Sequence, residues 1–388
     1  MDFAVNAERT TIQAAVRELC ARFPDEYWRA LDAKTEYPTE FVAALTRDGW
    51  LGALIPQQFG GSGLGLHDGA AILETINACG GNAAAAHAQM YTMGSLLRHG
   101  SEEQKHAYLP AIAKGELRLQ AFAVTEPDAG SETTRLKTSA VRRGSNYVIN
   151  GQKVFISRAE HSDLMLLLAR TTPYDALEDK TQGLSLFIVD LRAGVQAGSI
   201  EIRPLATMMN HHSTTIFLHD LVVDARDRIG EEGRGFRYII DSWNAERILV
   251  ASEALGDGSW FVERAARYAS ERRVFGRPIG ANQGVQFPIA QAHAQLQAAG
   301  LLRDQAAWLF DRDEKCGPQA NMAKLLASQA SWAAANACLD AYGGYGFARD
   351  FDIERKFRET RLLLTAPVSN NLVLAYVGQH VLGMPRSY

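Results

Sequence analysis

The feature that most constrains the fold of this chain is that its hydrophobic periodicity changes twice. Up to about residue 118, apolar residues recur at helical spacing; in TTIQAAVRELCARF, Ile12, Val16, Leu19 and Phe23 fall on one helix face. From there to about residue 231 the apolar segments are short, typical of strands, and separated by polar turns. Helical patterns then return in four long runs, at about 233–272, 283–313, 318–341 and 361–383.

Helices followed by strands and again by helices predict an α+β protein, because no βαβ alternation is present. We expect an N-terminal α-helical domain (1–118), a central antiparallel β domain (119–231) and a C-terminal four-helix bundle (232–388). Within the β domain, Asn150-Gly151 lies between two β-rich segments. This pair predicts a hairpin turn, since a tight turn of that kind needs positive φ at both central positions.

Charge and composition exclude several classes of protein. A formal net charge of −4 gives no electrostatic reason to expect nucleic acid or an anionic membrane as a partner. No apolar run approaches the ~18 residues of a membrane span, and MDFAVNAERTTIQ has no charged-then-apolar signal, so we expect a cytoplasmic enzyme. Free, buried thiols in a reducing compartment are expected for the four cysteines, Cys20, Cys79, Cys316 and Cys338.

Two segments of the β domain end in residues suited to a ligand. AFAVTEPDAGSET (121–133) leaves a strand and turns through Gly130 and Ser131, where small residues let backbone N–H groups approach an anion. VFISRAEHSD (154–163) places Phe155 and Ser157 two residues apart, on the same face of a strand.

Two further segments interrupt the C-terminal helices. RRVFGRPIGANQ (272–283) joins two helical runs and presents Arg272, Phe275 and Gln283. DAYGGYGF (340–347) contains the pair Gly343-Gly344, where a backbone can press against a flat or charged ligand. Taken alone, any of these segments is typical of a plain turn.

Together, in order and spacing, the four segments resemble the acyl-CoA dehydrogenase family, and the resemblance covers nearly the whole chain. It includes SEEQKHAYLPAIAKGE (101–116), RIGEEGRGF (228–236) and FDIERKFRETR (351–361). The resemblance implies FAD between the β domain and the C-terminal helices, and a homo-oligomer that is usually a tetramer built as a dimer of dimers. It also implies conversion of an acyl-CoA thioester to the trans-2-enoyl-CoA, with the electrons passing to an electron-transfer flavoprotein.

The resemblance assigns FAD contacts to two groups of residues. In the β domain these are Phe122, Val124, Thr125, Gly130, Ser131, Phe155 and Ser157, with Ser131 also near the substrate. In the C-terminal part they are Arg272, Phe275, Gln283, Asp340, Gly343, Gly344, Ser369 and Asn371. The segment from Arg272 and the Gly343-Gly344 turn would reach FAD in a neighbouring subunit. The family commonly has Gln where this chain has Asp340, and a carboxylate beside a pyrophosphate would be repulsive.

The reaction needs a carboxylate in an apolar slot, where desolvation strengthens it as a base. Many family members carry that Glu in the loop before the last helix, where this chain has Pro367. Relatives similar to the isovaleryl- and long-chain acyl-CoA dehydrogenases carry it on the first helix of the C-terminal bundle. The matching residue is Glu246, which interrupts an apolar stripe formed by Ile239, Trp243, Val250 and Ala254. A salt bridge from Glu246 to a bundle arginine is the structural alternative.

The same resemblance places Trp243, Asn244 and Arg247 against the substrate, with Arg247 facing CoA. Glu253 lies two turns from Glu246 on nearly the same helix face, and pairing with a surface Arg is its structural alternative. Pro367 has no N–H to bind the thioester oxygen, so we expect either a shifted loop in which a neighbour such as Val368 donates or a modified reaction. A Glu on the helix also hints at branched or bulky acyl groups.

Other functions stay open from the sequence alone. The same fold serves a desulfinase of a sulfinated acyl-CoA, flavin monooxygenases and a non-catalytic flavoprotein that binds nucleic acid, although FDIERKFRETR is not strongly basic. In NHHSTTIFLHD, the spacing of His211, His212 and His219 fits no common ligand set, so we expect surface histidines and no metal.

Overall fold

The computed structural model describes residues 6–386, so the first five and the last two residues of the predicted terminal domains lie outside it. Helices make up the first part of the chain: α1 (Ala7–Ala21), α2 (Asp25–Lys34), α3 (Thr39–Arg47), α4 (Leu66–Ala78), α5 (Ala84–His99) and α6 (Glu102–Lys114). The start of α6 follows from its sequence, because Ser101 and Gln104 form a reciprocal capping box. The helix ends at Gly115, which has positive φ.

The middle of the chain forms an eight-stranded sheet. Its elements are β1 (Leu119–Ala123), β2 (Ser139–Arg143), β3 (Asn146–Ser157), β4 (Leu164–Arg170), β5 (Leu184–Asp190), α7 (Leu191–Gln196), β6 (Ile200–Pro204), β7 (Ser213–Asp224) and β8 (Arg228–Ile229). The strand order is β6-β7-β3-β2-β4-β5-β8, with β1 beside β4. Most neighbours are antiparallel as predicted, but β1 and β2 pair with β4 in parallel.

The predicted hairpin turn at Asn150-Gly151 is wrong. Both residues lie inside β3, and the chain reverses earlier, between Arg143 and Asn146, where Gly144 has φ of 61°. The pairing of β3 with β7 shifts register between Ile149 and Gly151, which marks a bulge. A Cβ atom at Gly151 would lie 2.4 Å from the Thr138 hydroxyl oxygen, so close packing rather than a turn requires this glycine.

The C-terminal part is helical, as predicted. It contains α8 (Gly235–Glu271), a short hairpin of β9 (Arg273–Val274) and β10 (Arg277–Pro278), α9 (Gln283–Phe310), α10 (Gly317–Tyr342), α11 (Ile353–Leu362) and α12 (Asn370–Tyr376). The fourth predicted run, 361–383, is not one helix. The segment 363–369 separates α11 from α12, and Pro367 lies within it, because proline is disfavoured in a helix interior.

A buried ion network holds α11 against the N-terminal helices. Lys356 pairs with Asp257 of α8 and donates to the Gly81 carbonyl at 3.0 Å. Arg355 donates to the Gly80 carbonyl, also at 3.0 Å. The basic residues of FDIERKFRETR at these positions therefore point inward and serve the fold, which removes them from any surface that could bind nucleic acid.

Three cysteines, Cys20, Cys316 and Cys338, are buried free thiols as predicted. The expectation is wrong for Cys79, which is exposed because it follows the last residue of α4 at the surface. Within residues 6–386, no helix is long and apolar enough to cross a bilayer.

Candidate functional site

Glu246 lies in the first half of α8, and its side chain is turned into the protein. The residue is only 6% exposed, and its stripe neighbours Ile239, Val250 and Ala254 are buried as well. Throughout the part of the chain that the structure describes, Glu246 has no hydrogen-bond or ion-pair partner. The alternative of a salt bridge to a bundle arginine is therefore wrong. Glu246 shares a helix face with the buried stripe residues, so its carboxyl group points into the protein and away from arginines on the surface.

Burial raises the pKa of Glu246 to about 7. The charges of His87, Arg247 and Lys324 oppose this rise, and that of Glu253 adds to it. A carboxyl group with this pKa is half ionised near neutral pH and is a much stronger proton acceptor than an exposed glutamate. Such a carboxyl group is chemically able to accept a proton near neutral pH.

Trp243, Asn244 and Arg247, the residues predicted to lie against the substrate, form one group beside Glu246 on α8. The Arg247 guanidinium donates to the Asn244 side-chain oxygen at 3.4 Å and lies 6.0 Å from the centre of the Trp243 indole. Its Nε is buried without a hydrogen-bond partner among the described residues. This arrangement leaves an arginine donor available to a ligand next to the carboxyl group.

Lys324 of α10 is a site residue that sequence reasoning missed. It is fully buried and donates to the Val368 carbonyl at 2.7 Å and to the Asn370 side-chain oxygen at 2.8 Å. Burial, with the charge of Arg247, lowers the pKa of Lys324 to about 8, while Glu246 opposes the change. In the sequence, Lys324 interrupts the apolar pattern of α10, and this could have indicated a buried site residue. Lys324 fixes the loop that contains Pro367.

The loop before α12 offers a backbone donor. Ala366 donates to Leu362 and Asn370 to Leu364, so these two N–H groups are used locally. Within residues 6–386, the N–H of Val368 has no hydrogen-bond acceptor. Ser369 caps α12 by accepting from the Leu372 N–H, whereas Asn371 is exposed in the first turn of that helix.

The ends of β1 and β3 come together as predicted. The Val154 N–H donates to the Thr125 carbonyl at 2.9 Å, which places Val124 and Thr125 beside Phe155. Phe155 is 63% exposed although it is a large apolar side chain, and Ser157 is half-buried. Phe122 is buried against the ring of Tyr91, 5.7 Å away. An exposed aromatic ring at a strand end is suited to cover a flat ligand.

The loop of Gly130 and Ser131 follows Glu126, whose carboxylate is held by three hydrogen bonds. Glu126 accepts from the backbone N–H groups of Lys137 and Thr138 and from the Lys153 ammonium group. Burial raises the pKa of Glu126, but Lys153 and these hydrogen bonds outweigh it, and the net shift is downward. Gly130 and Ser131 themselves are exposed.

The second predicted group lies on the surface of the C-terminal helices. Exposed positions are occupied by Arg272, Phe275, Gln283, Asp340, Gly343 and Gly344. Phe275 is fully exposed, and no atom lies within 4 Å of a Cβ built on Gly343 or Gly344. This surface has room for a ligand or a second subunit.

The prediction of surface histidines is wrong at two positions. His211 and His212 are half-buried, since the loop before β7 packs against the N-terminal domain, whereas His219 is exposed as expected. His211 faces the Arg158 guanidinium at 3.4 Å, and burial followed by the charge of Arg158 holds the pKa of His211 well below its usual value. No group of three potential metal ligands occurs among residues 6–386.

The sequence of the chain matches three family models in register. Residues 6–116 match the acyl-CoA dehydrogenase N-terminal domain, residues 121–221 the middle domain and residues 233–378 the C-terminal domain. The chain belongs to the acyl-CoA dehydrogenase family. The predicted family, the three-part fold and FAD as cofactor are thereby confirmed.

Relatives of this acyl-CoA dehydrogenase chain match it over all or nearly all of its length. It is 34% identical over 392 residues to an acyl-CoA dehydrogenase of Mycobacterium tuberculosis, covering 100% of this chain and 99% of the relative. It is 33% identical to the cyclohex-1-ene-1-carbonyl-CoA dehydrogenase of Syntrophus aciditrophicus, over 95% of this chain and 87% of that protein. A solved glutaryl-coenzyme A dehydrogenase is similar with a TM-score of 0.91 and 28% identity, over 100% and 98% of the two chains.

The residues present fit FAD. Phe155 offers an uncovered ring beside Thr125, and Gly343-Gly344 offers a backbone without neighbouring side chains. Asp340 is exposed beside that turn, where it would oppose a phosphate.

Proposed function

We propose that this chain dehydrogenates an acyl-CoA thioester to the trans-2-enoyl-CoA with Glu246 as the proton acceptor. The observation that supports this most directly is a buried carboxyl group without a partner, whose pKa is raised to about 7. In this family the reaction needs such a group, and the loop residue Pro367 cannot supply it. The subtype we propose is accordingly the one with its catalytic Glu on the first helix of the bundle.

The residues around Glu246 have separate tasks in this proposal. Phe122, Val124, Thr125, Phe155 and Ser157 would hold FAD, which would supply the hydride acceptor for the β-hydrogen. Glu246 takes the proton from the α-carbon. Arg247 donates its free Nε–H to the CoA part of the substrate. The N–H of Val368 is the proposed donor to the thioester oxygen, and Lys324 holds that loop in place.

Partners and assembly follow from the same proposal. An electron-transfer flavoprotein receives the electrons. Phe275, in the turn between β9 and β10, and Phe347, in the segment between α10 and α11, are large apolar side chains that are 100% and 72% exposed. Such a surface is suited to contact a second copy of the chain, which supports the predicted homo-oligomer. The cytoplasmic location stays a prediction.

The proposal is tested by mixing the purified FAD enzyme anaerobically with a panel of saturated acyl-CoAs and following the flavin absorbance. We expect bleaching by at least one of them, and loss of about 10²- to 10⁴-fold in its rate in Glu246→Gln, the range for a general base. The matched control is Glu263→Gln, an exposed glutamate on the same helix that pairs only with Arg267. Absence of bleaching by every thioester, or an unchanged rate in Glu246→Gln, would refute the proposal.

A further inference from the structure

A second buried carboxyl group on α8 contacts a histidine on a helix of the N-terminal domain. The Glu253 carboxylate lies 3.1 Å from Nδ1 of His87 on α5, and the two residues are 5% and 8% exposed. The proposed pairing of Glu253 with a surface Arg is therefore wrong. Nε2 of His87 is buried and has no hydrogen-bond partner in the described part of the chain. An unused polar atom at this depth is unfavourable unless a ligand completes it.

This pair lies along the face of α8 that carries Glu246. Glu253 follows Glu246 by seven residues, a distance of about 10 Å along a helix. The helix α5 packs against both α8 and β1, so the space over this face is bounded by α5 side chains. The α-carbon of a substrate must lie at Glu246, and Arg247 is proposed to hold the CoA part. The acyl group therefore extends from Glu246 toward His87 and Glu253.

Two more polar side chains, Tyr91 and Arg158, lie near the His87–Glu253 pair. The Tyr91 ring lies 5.2 Å from the His87 ring, and burial followed by the charge of Glu246 raises the pKa of Tyr91, while Arg158 opposes this. Tyr91 therefore lies within the electrostatic reach of both Glu246 and Arg158. Arg158 is 7% exposed and has no carboxylate at ion-pair distance among residues 6–386. Its one side-chain hydrogen bond in that range is the contact with His211.

We infer that His87, Glu253, Tyr91 and Arg158 form the polar end of the pocket that binds the acyl group, and that the preferred acyl group carries an oxygen at its far end. This inference rests on the proposed function. A plain alkyl end would leave Nε2 of His87 without a partner and Arg158 with only its side-chain contact to His211. A hydroxyl, carbonyl or carboxylate oxygen would accept from Arg158 and Tyr91 and pair with Nε2, whose ring can donate or accept there.

The experiment compares acyl-CoAs in pairs of equal chain length. One member of each pair ends in a methyl group, and the other carries a hydroxyl, keto or carboxylate oxygen. The position of that oxygen is moved along the acyl chain one carbon at a time. Flavin bleaching gives kcat/KM, and calorimetric titration of the matching enoyl-CoA products gives the affinity independently of turnover. We expect at least one oxygenated acyl-CoA to exceed its methyl partner by about tenfold or more in both measurements.

The matched variant is the double substitution His87→Leu with Glu253→Leu, which removes both partners and so leaves no buried charge unpaired. We expect the ratio of kcat/KM for the oxygenated compound to kcat/KM for its methyl partner to fall by about tenfold or more in this variant. If it does not retain FAD, Tyr91→Phe replaces it, and we expect that substitution to weaken only the oxygenated compounds.

Three results would overturn the inference. The first is a wild-type preference for the methyl compounds, or no preference. The second is an unchanged ratio in the variants. The third is bleaching by no thioester at all, which alone would also refute the proposed function, whereas the first two leave dehydrogenation by Glu246 intact.

Discussion

The raised pKa of Glu246 predicts how the reaction depends on pH. In the free enzyme only the ionised carboxylate can accept the α-proton, and its pKa is about 7 because the side chain is buried. The second-order rate constant of flavin reduction, measured at low acyl-CoA concentration, reports the ionisation of the free enzyme. This rate constant should therefore rise with pH and level off above neutrality.

The magnitude follows from the fraction of ionised carboxylate. With a pKa of about 7, the ionised fraction is about 9% at about pH 6 and about 91% at about pH 8, so the rate constant should rise roughly tenfold. Ionising Glu246 in the fold costs about 3 kcal/mol, since the pKa rises from its ordinary 4.5 to about 7 and one pH unit corresponds to ~1.4 kcal/mol.

Groups on three helices face Glu246 and affect the profile: His87 on α5, Arg247 and Glu253 on α8, and Lys324 on α10. Lys324 has a pKa lowered to about 8, so its charge is lost at the upper end of the range.

The assay is anaerobic stopped-flow absorbance of the flavin between about pH 5.5 and about pH 8.5, with acyl-CoA well below saturation. Glu263→Gln should follow the wild-type curve, and Glu246→Gln should be slow at every pH. A wild-type rate constant that is flat across this range, or that falls as pH rises through 7, would contradict the assignment of Glu246.

Three further predictions concern other residues. Lys324→Met should lower kcat/KM by roughly ten- to a hundredfold while FAD stays bound. The reason is that the Val368 carbonyl and the Asn370 side chain lose a charged donor worth about 1.5–3 kcal/mol. An unchanged kcat/KM would show that the loop before α12 does not depend on Lys324. Lys356→Met should destabilise the protein by about 3–5 kcal/mol in denaturant unfolding, since it leaves Asp257 buried and unpaired. Adding Asp257→Leu should restore much of that loss, and a double variant as unstable as the single one would argue against the pairing as its cause. Gly151→Ala should lower the melting temperature, because the new Cβ would meet the Thr138 hydroxyl at 2.4 Å. The comparison is Gly144→Ala, whose new Cβ would have no atom within 4 Å, so that this variant reports the effect of positive φ alone.

The order of the three structural parts could be predicted from sequence because it depends on periodicity alone. The stripe of Ile239, Glu246, Val250 and Ala254 was predicted for the same reason, since residues at helical spacing share a face and become buried together. The hairpin prediction at Asn150-Gly151 failed because the same residue types occur in tight turns and in β-bulges. Only the pairing of β3 with β7 shows that this pair lies in a bulge.

Three of the polar residues around Glu246 could not be predicted, because they come from distant segments. His87, Arg158 and Lys324 have no common spacing with Glu246, and tertiary packing alone brings them near it, whereas the spacing along α8 already placed Glu253 on nearly the same helix face. His211 and His212 were assigned to the surface for a similar reason. Nothing in a loop sequence shows that the N-terminal domain covers it.

Transfer of the α-proton to Glu246 is the central claim, and isotope exchange tests it most directly. Wild-type enzyme with FAD, kept anaerobic in deuterium oxide with a saturated acyl-CoA that it accepts, should return acyl-CoA with deuterium on the α-carbon, detected by mass spectrometry. Glu246→Gln with full FAD content should exchange about 10²- to 10⁴-fold more slowly, as expected when a general base is removed. Exchange at the wild-type rate in Glu246→Gln would contradict the account, since the proton would then be taken by another group.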